Sequence, residues 1–109
     1  MNKQDSDLIE KIKEGSLEHF DKLMKKYEEQ VYRIAYNFAK NRDHAMDIVQ
    51  NVFIKVYQNL SGFRGDCQYK TWLIRIAFNE SQNWIKKNKE MLSFDDMNDL
   101  ETLSISRVR

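Results

Sequence analysis

The sequence predicts an all-α domain, a compact bundle of about four helices followed by an acidic C-terminal tail. Three observations carry that expectation. The chain has 109 residues, no proline and only three glycines, so the residues that turn one strand into the next are nearly absent. Apolar side chains recur at steps of three and four through three long segments, the spacing of a helix rather than a strand. The length suits one domain with a modest core and is too short for two.

Asp7 to Glu14 reads as a short first helix, with Asp7 and Glu10 as a capping-box pair and Gly15 as its stop. Ser16 caps a second helix, whose apolar positions Phe20, Leu23, Tyr27, Val31, Ile34, Ala35 and Phe38 keep the period to about Lys40. Asn41 to Asp43 is a tight break in which Asp43 caps a third helix. There Ala45, Ile48, Val49, Val52, Phe53, Val56 and Leu60 repeat the pattern. Ser61 to Tyr69 is a loop, and a fourth helix runs from about Lys70 to Lys89. On that helix Leu73, Ile74, Ile76, Ala77, Phe78, Trp84 and Ile85 share a broad arc, interrupted by Glu80 and Ser81. Trp72, Arg75, Asn79, Gln82, Asn83, Lys86 and Lys89 occupy the opposite arc. Beyond Met91 the period fades, so residues 5–90 make the folded unit and 91–109 an acidic linker or weakly ordered tail.

Much chemistry is excluded at once. No apolar run approaches the roughly 18 residues of a membrane span, so no membrane insertion is expected. The N-terminus lacks the basic-then-apolar order of a signal peptide, and Cys67 has no second cysteine to pair with. A reducing cytoplasm is the expected compartment. His19 and His44 fall on different predicted helices; His44 and Asp47 share a face, but two ligands do not make a metal site. Cys67 has no histidine beside it, and no glycine motif cradles a phosphate. No enzyme activity, cofactor or metal is expected.

The net charge of +1 names no partner, but its distribution is uneven. Residues 1–66 are balanced, residues 67–90 carry a net +3 and residues 91–109 a net −2. The positive excess lies on the loop and fourth helix, where aromatic rings sit among amides and cations. Such a surface suits unstacked nucleic-acid bases and the phosphates between them. The plainer reading makes Phe63, Tyr69 and Trp72 core residues at a helix junction, and Phe63 alone favours it. Trp72 stands apart because the helical wheel centres it among Asn79 and Asn83, with Arg75, Lys86 and Lys89 alongside as phosphate contacts would be.

Two stretches resemble a known family. D-H-A-M-D-I-V-Q-N-V-F-I-K-V-Y-Q-N-L (43–60) and F-R-G-D-C-Q-Y-K-T-W-L-I-R-I-A-F-N (63–79) resemble region 2 of bacterial sigma factors of the extracytoplasmic-function group. The upstream G-S-L-E-H-F-D-K-L (15–23) is similar to the same pattern. The resemblance implies a transcription initiation factor with two partners. Asp47, Gln50, Asn51 and Phe53 on the third helix would dock on the clamp helices of the largest subunit of core RNA polymerase. The loop and fourth helix would recognise and melt the promoter −10 element and hold its non-template strand. Phe63, Arg64 and Tyr69 would shape a pocket for a flipped base; Lys70, Trp72, Arg75, Asn79, Asn83 and Lys86 would lie along the DNA. An anti-sigma factor is a further implied partner, and the expected location is cytoplasmic, at the nucleoid.

The departures are specific. Asn51 replaces the family's usual glutamate, Cys67 stands where a small polar residue is common, and Lys70 adds a charge at the helix entry. The family's second DNA-binding domain, region 4, has no counterpart before the end at Arg109. The chain is therefore expected to be a cut-down form, the other reading being a natural one-domain member with a companion chain. Two other functions stand beside the leading one. The first is a protein-interaction module on the same scaffold, bound by an anti-sigma regulator or companion subunit. The second is a helix-turn-helix repressor, disfavoured because its link would be about nine residues instead of three or four.

Overall fold

The computed structural model describes residues 3–88, and the acidic segment 91–109 lies outside the described residues. Four helices follow in order: α1 (Lys3–Lys13), α2 (Leu17–Ala39), α3 (Arg42–Asn59) and α4 (Tyr69–Lys87), with a 3-10 turn at Leu60–Gly62. Among the described residues there is no strand.

The apolar faces of the helices converge on one core. α2 is the central helix and packs against α1, α3 and α4. Its Leu23, Val31, Ala35 and Phe38 meet Ala45, Ile48, Val49, Val52 and Val56 of α3 and Leu73, Ala77 and Ile85 of α4 in one buried cluster. Ala35, Ala45 and Ala77 are fully covered, and side chains that small let neighbouring backbones approach closely. Burying each of the larger aliphatic side chains contributes about 1.5–3 kcal/mol.

The helix ends correct two expectations. α1 begins at Lys3, so Asp7 lies inside the helix and caps nothing. What holds its start is Asp5, which is 2% exposed and accepts hydrogen bonds from Lys26 Nζ at 2.6 Å and from the Tyr27 hydroxyl. A carboxylate can stay buried there because both bonds come from α2, one of them charged. α3 is capped by Asn41, whose Oδ1 accepts from His44 N at 2.9 Å; Asp43 instead adds negative charge to the first turn. Ser16 caps α2 as expected, accepting from His19 N at 3.3 Å. Gly15 ends the α1 link at φ +105°, a conformation that disfavours any side chain.

The break in the apolar arc of α4 has a simple resolution. Ser81 is buried, and its hydroxyl donates to the Ala77 carbonyl at 2.7 Å within the same helix. Glu80 lies at the core's edge with its carboxylate 3.7 Å from Lys55 Nζ of α3.

Candidate nucleic-acid interface

The segment between α3 and α4 is anchored at both ends by aromatic rings. Phe63 closes the 3-10 turn, its N–H donating to the Leu60 carbonyl at 3.0 Å, and its ring is 6% exposed. Tyr69, the first residue of α4, is fully buried. Between them Arg64, Gly65, Asp66 and Gln68 are exposed, Cys67 is half-buried, and Gly65 turns the chain at φ +83°. The exposed loop is therefore a short span stretched between two fixed points.

The rings form one cluster. Phe63 lies 5.0 Å from Trp72 and 6.2 Å from Tyr69, centroid to centroid, and Tyr69 lies 5.9 Å from Trp72 and 5.7 Å from Tyr27. Such edge and tilted contacts contribute beyond the area they bury. Trp72 is thus half-buried against Phe63 and Tyr69, not free-standing at the centre of a polar arc as the helical wheel has it. The wheel treats α4 alone, whereas the preceding loop folds back over its first turn. Phe63 and Tyr69 are buried and support the loop from beneath.

Burial pushes the Tyr69 hydroxyl well above the ordinary tyrosine range, and the negative charge of Asp5 adds to the shift. Tyr27 moves the same way, through burial first and then through its hydrogen bond to Asp5. The Tyr69 hydroxyl is buried without a hydrogen-bond partner. Both phenols stay neutral across the physiological range.

The remaining predicted residues are where a ligand could reach them. Arg64, Lys70, Arg75, Asn79, Asn83 and Lys86 are all exposed, and Asn79, Asn83 and Lys86 recur at the spacing of one helix face. Lys86 and Lys87 also sit in the last turn of α4, where cations are favoured. Cationic and amide donors in a row, running from the aromatic cluster along α4, can bind phosphates and base edges. Among the described residues no three His, Cys, Asp or Glu side chains converge as metal ligands would.

The outward face of α3 is different. Asp47, Gln50 and Asn51 are exposed, whereas Phe53 is half-buried against the core. Beside them Met46, Ile54 and Tyr57 stand 40%, 56% and 55% exposed, and Tyr57 meets Phe20 of α2 edge-on at 5.2 Å. Sequence reasoning missed these three. Their signal was available as the apolar positions of α3 left over once Ala45, Ile48, Val49, Val52 and Val56 fill the core arc. It also missed Asp5 and Lys13; Lys13 Nζ donates to the Phe63 carbonyl at 2.6 Å.

Comparison with known proteins settles the family. The sigma-70 region 2 family matches residues 23–91, more than half of the chain. The chain belongs to that family. Among its relatives, the RNA polymerase sigma-H factor of Pseudomonas aeruginosa is 39% identical over 80 residues, covering 73% of this chain and 42% of that protein. The ECF RNA polymerase sigma-E factor of Escherichia coli is 36% identical over 81 residues, covering 74% and 42%. This sigma region 2 chain thus spans about two-fifths of the length of those relatives. A solved structure of an engineered region 2 of sigmaE in complex with GTAAAA matches with a TM-score of 0.73 at 30% identity, covering 83% of this chain and 94% of that one. No described helix is long and apolar enough to cross a membrane.

Proposed function

We propose that this sigma region 2 domain is a promoter-recognition unit of a transcription initiation factor. It docks on core RNA polymerase through the outward face of α3, and it binds the melted non-template strand of the −10 element through the loop and α4. The observation that carries this reading is the likeness to a sigmaE region 2 that was solved in complex with GTAAAA, over nearly all of that chain. The row Arg64, Arg75, Asn79, Asn83 and Lys86 supports it, since donors in that row suit phosphates and base edges. The domain works by binding and catalyses no reaction of its own. Its place of action is the cytoplasm, at the nucleoid.

The docking half rests on chemistry of a different kind. Met46, Ile54 and Tyr57 beside Asp47, Gln50 and Asn51 make an apolar stripe rimmed by polar groups, the pattern of a protein interface. The same stripe favours a second reading, a module whose α3 face is held by an anti-sigma regulator or companion subunit. A native-gel assay of the chain with bacterial core RNA polymerase, with Gln50→Ala alongside, separates the two. Binding that weakens in the variant supports the initiation-factor reading. A folded wild-type chain that ignores polymerase and binds no single strand refutes it.

A further inference from the structure

Lys13 is the last residue of α1, and its ammonium reaches across 50 positions of sequence to the backbone of the loop. Its Nζ donates to the Phe63 carbonyl at 2.6 Å, a short charge-assisted bond. The Phe63 N–H is committed on its other side to the Leu60 carbonyl at 3.0 Å. Both backbone groups of Phe63 are therefore held, its ring is packed on Trp72 and Tyr69, and Arg64 is the next residue along. Lys13 is exposed as a residue and is not among the buried core, so the bond to the Phe63 carbonyl is its hydrogen bond to the loop.

We propose that Lys13 is a positioning residue for the DNA-binding loop, its ammonium presetting the backbone from which Arg64 projects. This rests on the reading of the loop as a nucleic-acid site. A loop ordered before binding loses less freedom when it binds, so affinity and base preference both gain from the anchor. Lys11 provides the matched control. It lies on the same helix, carries the same charge and is exposed, but its neighbour is Glu14 at 4.0 Å and not the loop.

The test compares the full chain with Lys13→Met, Lys13→Arg and Lys11→Met. An arginine-specific protease reads loop order through cleavage after Arg64, and fluorescence anisotropy reads binding of the hexamer GTAAAA against random-sequence single-stranded hexamers. Cleavage after Arg64 rises about fivefold in Lys13→Met, the loss of one partly solvated charge-assisted bond. Lys13→Arg and Lys11→Met stay near wild type. Lys13→Met also loses about fivefold in affinity for the bound hexamer, and the preference between hexamers narrows. Should Lys13→Met melt early, Lys13→Arg decides the matter, because it keeps the donor and must protect the loop. Unchanged cleavage in Lys13→Met, or an equal rise in Lys11→Met, overturns the positioning role. A wild-type chain that binds no hexamer refutes the nucleic-acid reading itself, whatever the protease reports.

Discussion

The outward face of α3 and that of the loop with α4 treat their large side chains in opposite ways. On α3, Met46, Ile54 and Tyr57 point into solvent beside Gln50 and Asn51. At the loop, Phe63 and Tyr69 turn inward, Trp72 is half covered, and cations and amides are left outside. An exposed apolar stripe is stabilised by a protein partner that removes it from water. A polar, cationic row is already content in water and gains from phosphates and base edges. Side-chain chemistry therefore suits different kinds of partner at two faces of one bundle.

The largest effect that would sharpen this contrast comes from α3. Ile54→Glu is expected to weaken capture of core RNA polymerase by about thirtyfold or more, as a charge placed at the centre of an apolar contact does. The melting temperature and single-strand binding stay unchanged, because Ile54 lies outside the core. Asn79→Ala and Arg75→Ala do the reverse, lowering affinity for the single strand by about five- to tenfold with polymerase capture intact. Arg75→Ala also lowers the slope of log affinity against log salt by about one. Trp72→Ala is a poorer probe than the helical wheel implies. It removes a ring that packs on Phe63 and Tyr69, so lost binding and lost stability would be confounded.

Those substitutions also mark how much was legible beforehand. Helix periods are local, so all four helices, the loop and the exposed row at Arg75, Asn79, Asn83 and Lys86 could be read from spacing alone. Contacts between distant segments could not. Asp5 finds its partners 21 and 22 positions away, and Lys13 finds Phe63 at 50, so neither announces itself locally. The packing of Trp72 on Phe63 and Tyr69 was hidden for the same reason, since a wheel of α4 cannot contain the loop that returns over it. The capping errors at Asp7 and Asp43 are smaller. Asp43 sits one residue inside a helix that starts at Arg42, and Asp7 sits four residues inside one that starts at Lys3.

Beneath the two faces, the Asp5 network is expected to tune stability without touching either partner. Asp5→Ala removes the acceptor for Lys26 and Tyr27 and costs about 2 kcal/mol, a modest value because Lys26 can return to water. A thermal melt would show this as a fall of about 10 °C, and a urea melt as a lower midpoint. The smallest effect is that of Tyr69→Phe, which deletes a buried hydroxyl that has no hydrogen-bond partner. At neutral pH it should change stability by less than about 1 kcal/mol. The difference emerges in alkali. Because the folded-state phenol is raised above its unfolded value, its contribution is complete below pH about 10 and is lost as pH rises beyond it. Tyr69→Phe should therefore lose less stability than wild type between pH 8 and pH 11 in urea titrations, and Tyr27 contributes to the loss that remains.

Whether the two faces can be occupied together is the most direct question. Anisotropy of fluorescent GTAAAA held by the chain, titrated with core RNA polymerase and set against polymerase alone, answers it. Separate faces predict that the strand stays bound and tumbles more slowly as polymerase is added, and that Ile54→Glu abolishes the slowing. Displacement of the strand by polymerase would mean that both partners compete for one surface, and would contradict the division between α3 and α4.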